Sequence, residues 1–216
     1  MSDSDSVTDE ASEAEPSGRP IDFYFDFSSP YGYLAAHKVD SIVRLYGRTM
    51  NWRPILLGVI FKTTGAQPLL DVPIKGPYTR RDMERTARFL GVPLVFPEVM
   101  PFPSIAAARA VYWVQDTDRE KARELCLALY DRAFAEGGDI RDADAVLDCA
   151  AEVGIDTDAL AAALQDPAVK ERLKKENDAA MAAGVCGSPF FVVDGEPFWG
   201  ADRLDHVERW LATGGW

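Results

Sequence analysis

The sequence predicts an α/β fold in which a β-α-β unit and a β-β-α unit form one domain around a large all-helical insertion. Three observations carry this expectation. The run IDFYFDF (21–27) alternates aromatic and β-branched residues with acids, as a strand does. Residues 104–183 are alanine-rich and helical in pattern almost throughout. Near the end, FFVV and EPFW flank Asp194-Gly195, and Asp-Gly supplies the two positive φ angles of a type I′ hairpin turn. Neither end alone has enough strands to cover a core, so residues 21–60 and 184–216 are expected to close together, with 61–183 inserted.

The elements follow in order. The first fifteen residues, MSDSDSVTDEASEAE, hold six acids and no base. Such a stretch cannot bury enough apolar surface to offset its ordering entropy, so residues 1–20 are expected to be a disordered acidic tail. After the first strand, Ser28-Ser29-Pro30 reads as a helix start, with Ser29 as N-cap and Pro30 at the first helical position. Ala35, Val39, Ile42, Val43 and Tyr46 recur at helical spacing, and Gly47 ends the run. MNWRPILL (50–57) predicts a second strand, with Pro54 arguing for a sheet edge or a bulge. From Gly58 to about Tyr78 the chain reads as a long irregular loop, and loops of that length are usually functional. Residues 80–90 read as helix, and LVFPEVMPFPS (94–104) is too proline-rich to be regular. Asp142 and Asp156 are expected N-caps within the helical block. A closing helix at about 202–212 places Leu204, Val207 and Leu211 on one face.

Composition narrows the function. The chain has 216 residues, 47% hydrophobic and 27% charged, with a formal net charge of −12. That field repels nucleic acid, and no basic stripe with interleaved aromatics overrides it. No apolar stretch approaches the length of a membrane span, and the acidic start is the opposite of a signal peptide, so the protein reads as cytoplasmic. Cys126, Cys149 and Cys186 are widely spaced, with no CxxC pair and no metal-ligand cluster. Cys126 and Cys149 read as core packing. With His37 and His206 the only histidines, no metal site is expected, and His37 reads as packed or solvated rather than as a base.

The element order is that of the thioredoxin fold with a helical insertion, and two motifs resemble a narrower group. FYFDFSSPYGYL resembles the N-terminal signature of the 2-hydroxychromene-2-carboxylate isomerases and the related kappa-class glutathione transferases. GVCGSPFFVVDGEPFWGADRL resembles their C-terminal signature, and FLGVPLVFP fits between them. The resemblance covers about residues 21–212. Redox relatives on this fold carry C-x-x-C where this chain has Ser29-Pro30-Tyr31-Gly32, so dithiol exchange at that position is excluded.

The resemblance implies glutathione as cofactor, a small aromatic substrate and a homodimer. It implies that Ser29 is the catalytic residue, donating a hydrogen bond to the glutathione thiolate at the positive end of the first helix. Helix capping alone is the plainer role of a serine before proline, and Ser28 is a rival placed on the strand end. Ser188-Pro189 resembles the cis-proline loop that receives the cysteinyl part of glutathione. Trp199, Gly200, Ala201 and Asp202 are implied to hold the γ-glutamyl end, with Asp202 equally able to cap the last helix. Lys62 is implied to touch glutathione and the substrate carboxylate. The amide expected after Thr64-Gly65 is missing, since Ala66 and Gln67 follow, and Gln67 is its stand-in. Tyr78 completes the substrate side, whereas Lys75 reads as a solvated loop residue. Three readings stay open: a glutathione-dependent isomerase, a glutathione transferase or peroxidase, and a non-catalytic glutathione-binding protein.

Overall fold

The computed structural model describes residues 18–216. The acidic tail expected over 1–20 therefore lies outside the described residues, apart from Gly18, Arg19 and Pro20.

Four strands form one mixed sheet in the order β2-β1-β3-β4. β1 (Ile21–Phe25) pairs in parallel with β2 (Met50–Pro54), with Phe23 opposite Trp52 and Phe25 opposite Pro54. β3 (Phe190–Val193) runs antiparallel to β1, and β4 (Glu196–Trp199) antiparallel to β3. Pro54 closes an edge strand, where its missing N–H costs no ladder bond. Asp194 and Gly195 take φ of 55° and 96°, the paired positive angles that the Asp-Gly hairpin requires.

The period of two in β1 sorts its side chains between two cores. Phe23 and Phe25 stack on each other (4.9 Å), Phe23 stacks on Phe191 (5.1 Å), and Trp52 meets Phe23 edge-on. This face is covered by α1 (Pro30–Leu45), α5 (Arg119–Phe134) and α9 (Leu204–Thr213). Tyr24 points the other way, into a smaller cluster with Ile55, Ile60, Ala180 and Phe190. The main core is continuous from the sheet into the insertion, because Tyr130 and Phe134 of α5 pack on Phe25, Phe27 and Tyr33.

The insertion is helical as expected, with α4 (Ile105–Gln115), α6 (Ala143–Glu152), α7 (Thr157–Gln165) and α8 (Pro167–Ala182) beside α5. Asp142 accepts from Ala145 N, and Asp156 accepts from Asp158 N and Ala159 N, so both are N-caps. Cys126 and Cys149 are fully buried in the core, where burial pushes both thiols' pKa up.

Several expectations need correction. β1 stops at Phe25, and Asp26–Ser28 form a turn whose Ser28 N–H donates to Asp26 Oδ1 (2.8 Å), so Ser28 is not on the strand. The segment from Gly58 to Tyr78 is not an irregular loop. It contains α2 (Leu57–Thr64), a single 3-10 turn (Leu69–Asp71) and the beginning of α3 (Lys75–Leu90). Lys75 is therefore the first residue of a helix. Gly76 and Pro77 fall in its first turn, where backbone N–H groups have no intrahelical partner, so the proline costs little. The closing helix begins with a 3-10 turn over Ala201–Arg203 and becomes α-helical from Leu204. The boundary expected at residue 60 falls inside α2.

Candidate functional site

Ser29 sits where β1 has turned into α1. Its backbone is extended (φ −98°, ψ 110°), and its Oγ accepts from Gly32 N at 3.1 Å, the bond of an N-cap. The same hydroxyl donates to Ser188 O at 3.1 Å, bridging 159 residues of sequence. Ser188-Pro189 is a cis peptide. The Ser188 side chain completes the link by accepting from Asp26 N at 3.0 Å. Ser29 is 6% exposed, so these polar groups meet at the edge of the core rather than in open solvent.

The last motif docks on the same loop. Gly200 (φ 113°) donates its N–H to Pro189 O at 3.0 Å, a conformation that suits glycine. The indole of Trp199 lies across Gly187, so closely that a side chain at residue 187 would collide with its ring nitrogen. Trp199 itself is 59% exposed. Asp202 is also exposed, paired with Arg203 at 3.4 Å, and its charge is among those that raise the pKa of Tyr31. The structure thus brings Ser29, Ser188, Pro189, Trp199, Gly200 and Asp202 around one end of α1. Ala201 opens the turn between Gly200 and Asp202.

The expected substrate-side residues are more loosely placed. Lys62 lies in the last turn of α2, exposed, and forms no ion pair among the described residues. Gln67 is exposed beyond Gly65, which ends α2 with φ 73°. Tyr78 is 64% exposed on α3. No hydrogen bond among the described residues ties these three to Ser29 directly. Tyr78 is linked instead to Tyr31 of α1. Tyr31 Oη donates to Asp82 Oδ2 at 2.6 Å, and Arg85 holds both Asp82 and the Tyr78 hydroxyl. Burial first, and then the Asp82 carboxylate, push the Tyr31 hydroxyl's pKa well up, so it stays a donor.

Sequence reading missed Asp26, Asp82 and Arg85. Asp26 is the most informative of them. It is 3% exposed, and its carboxyl accepts from Ser28 N (2.8 Å), Leu57 N (2.6 Å) and Ser104 Oγ (2.8 Å). Its carbonyl accepts from Ser29 N (2.9 Å) and Tyr130 Oη (3.0 Å). The only signal available was an acid set between two phenylalanines directly after β1. Burial raises its pKa above the usual 3.8, and the three donors oppose that shift without reversing it.

A pH dependence follows. With its folded pKa raised, Asp26 holds more protons in the native than in the unfolded protein. Its contribution to stability is full below about 3.8 and declines as pH rises through the folded value. Urea unfolding of the wild type relative to Asp26→Asn is expected to show that decline, and then a plateau. A difference that grows with rising pH would reverse the sign.

Other features stand apart from this end of the molecule. His37 Nε2 lies 2.8 Å from Asp131 Oδ1 and edge-on to Tyr33, so it is a packed and bonded histidine. Cys186 is half-buried against the smaller cluster, and burial raises its pKa too. A cavity of about 190 Å³ lies at the β2 edge beside Trp52, Arg53 and Arg172, and Ser29 does not line it. Among the described residues no group of three or more His, Cys, Asp or Glu is placed to hold a metal ion. No helix among them is long and apolar enough to cross a membrane.

A thioredoxin-like sheet with a helical insertion, and a helix start facing a cis-proline loop, define a DsbA-type scaffold without its cysteines. The chain belongs to the family of DSBA-like thioredoxin domains, which matches residues 20–212. Within it the chain is similar to a 2-hydroxychromene-2-carboxylate isomerase of Sphingobium xenophagum, 35% identical over 195 residues, covering 89% of this chain and 98% of the relative. It is also similar to glutathione S-transferase kappa 1 of Homo sapiens, 26% identical over 91% of this chain and 94% of the relative. A solved 2-hydroxychromene-2-carboxylate isomerase superposes with a TM-score of 0.80 at 29% identity, covering 91% of this chain and 95% of that one. The protein is accordingly an enzyme of the isomerase or transferase kind.

Proposed function

We propose that this enzyme is a glutathione-dependent isomerase acting on a conjugated aromatic ring-fission product. The observation that carries the reading is the Ser29 hydroxyl. It is buried at the start of α1 and bonded across to Ser188 O, at the position that holds a cysteine in redox relatives. The fit to glutathione rests on this chain's own surface: a bonded hydroxyl at the positive end of a helix, beside a cis-proline loop and an exposed indole over a glycine. When bound, glutathione would supply the nucleophile, its thiolate adding reversibly to the conjugated system so that the chain can turn before the sulfur leaves unchanged.

The residues would do the rest. Ser29 turns its O–H from Ser188 O to the thiolate, which lowers the thiol's pKa, while Gly32 N–H keeps the oxygen in place. The Ser188 carbonyl so released accepts from the cysteinyl amide. Trp199, Gly200, Ala201 and Asp202 receive the γ-glutamyl end, and Asp202 pairs with its amino group. Lys62 faces the substrate carboxylate, with Gln67 and Tyr78 completing that side. The reading carries a cytoplasmic homodimer with it.

Transferase chemistry of the kappa type uses the same first half of the site, and the kappa relative favours it as the second reading. The two differ in thiol balance. Incubated with glutathione and 2-hydroxychromene-2-carboxylate, the enzyme is expected to form isomer with no loss of free thiol. Stoichiometric thiol loss would replace the isomerase with the transferase, and no glutathione-dependent turnover would remove both.

A further inference from the structure

Helix α2, which carries Lys62, has no cap of its own. Leu56 stands at its N-cap, and a leucine side chain accepts nothing. Two successive N–H groups are instead taken by buried side chains from distant parts of the chain. Leu56 N donates to Asn177 Oδ1 of α8 at 2.7 Å, and Leu57 N donates to Asp26 Oδ2 at 2.6 Å. Asn177 and Asp26 are each 3% exposed. Just upstream, Tyr112 Oη holds Pro54 O at 2.8 Å. The start of α2 is thus clamped, while its far end, with Lys62 and Gly65, lies open to solvent.

Asp26 divides its bonds in a telling way. Its main chain serves Ser29 and the cis-proline loop, through Ser29 N to its carbonyl and its own N–H to Ser188 Oγ. These bonds persist whatever side chain stands at residue 26. Its carboxyl reaches Ser28 N, Ser104 Oγ at the start of α4, and the first N–H of α2. A carboxylate beside that N-terminus also complements the helix dipole.

We propose that Asp26 is a positioning residue for the electrophile side of the site, fixing through Leu57 N–H the distance between Lys62 and Ser29. The assignment rests on the reading above, in which Lys62 faces the substrate carboxylate. Lys62 is five residues beyond Leu57, roughly 7.5 Å along the helix axis, so a small tilt at the clamped end is carried to the lysine. A misplacement of about 1 Å costs on the order of a hundredfold in such sites.

Leu57→Pro tests this, because it deletes the N–H and leaves Ser29 and Ser188 untouched. Proline is well accepted at a first helical position, and Leu56 (φ −110°, ψ 101°) is already extended, as a residue before proline must be. Leu57→Ala, which keeps the N–H, is the control. With glutathione and 2-hydroxychromene-2-carboxylate, Leu57→Pro is expected to lower kcat/KM for the carboxylate by about tenfold or more, chiefly through KM. Its glutathione dissociation constant should stay within about twofold of wild type, with the ultraviolet thiolate band retained, and Leu57→Ala should stay near wild type.

Asp26→Ala, which leaves the Leu57 N–H without its acceptor, is expected to show the same split, and serves alone should the proline variant fail to fold. The Asp26→Ala/Leu57→Pro pair should lose no more than Asp26→Ala, since the deleted donor is the one the carboxyl would have held. Additive losses, a matching loss of glutathione affinity, or a Leu57→Pro enzyme indistinguishable from Leu57→Ala would each overturn the assignment alone. A wild type that does not bind glutathione would overturn the functional reading and this assignment with it.

Discussion

Ser29→Ala is expected to reduce kcat/KM at saturating glutathione by about a hundredfold or more while leaving the protein folded. On the proposed reading the hydroxyl is the donor aimed at the developing sulfur charge, and removing one such preorganised donor from a buried site typically costs on the order of 2.7–4 kcal/mol of transition-state stabilisation. Its structural role is smaller. The substitution deletes the cap bond from Gly32 N and the bridge to Ser188 O, and a lost cap costs roughly 1 kcal/mol. Activity and stability should therefore separate. A fall in activity matched by an equal fall in unfolding free energy would mean that Ser29 only caps α1. Ser29→Cys sharpens the test. A thiol at this helix start would ionise readily and would place one sulfur charge against another. It is expected to lose the isomerase activity and to gain a mixed disulfide with oxidised glutathione, which mass spectrometry reads directly.

Gly32→Ala is expected to destabilise the enzyme and to disable the same site, against the usual behaviour of glycine in helices. In a helix interior the change normally gains close to 1 kcal/mol. Here an added Cβ would lie 2.5 Å from Tyr130 Oη and 2.8 Å from Ser188 Oγ. Tyr130 is fully buried and bonded to Asp26 O, so it cannot swing away, and Ser188 would be forced off its bond to Asp26 N. Overpacking of this kind costs about 1–3 kcal/mol, and the displaced cis-proline loop should lower kcat/KM by at least about tenfold. Tyr130→Phe removes the nearer of the two obstructing atoms. Gly32→Ala combined with Tyr130→Phe should therefore unfold at higher urea than the sum of the single changes allows. A Gly32→Ala enzyme as stable and active as wild type would show that the neighbours yield without cost.

Local patterns carried their information faithfully where the physics is local. The Asp194-Gly195 turn, the Ser29-Pro30 helix start and the Asp142 and Asp156 caps each depend on a few adjacent residues, and each is present. Helix α2 was illegible for the opposite reason. LGVIFKTT has no capping residue before it, so a reading along the chain finds a loop. Its first N–H groups are satisfied by Asp26 and Asn177, which lie 31 and 121 residues away. Separation along the chain likewise hid Asp82 and Arg85, whose link to the start of α1 exists only because α3 packs beside Tyr31.

The sequence by itself determined that this protein has a serine, and no cysteine pair, at the start of its first helix. That identity excludes dithiol exchange there. It also determined the alternation that sends Phe23 and Phe25 to one face of the sheet and Tyr24 to the other. Only the tertiary structure decided what the serine faces: Ser188 O across the cis-proline loop, with Asp26 beneath both. A hydroxyl's role is set by where its one proton points, and here the acceptor comes from the far end of the chain.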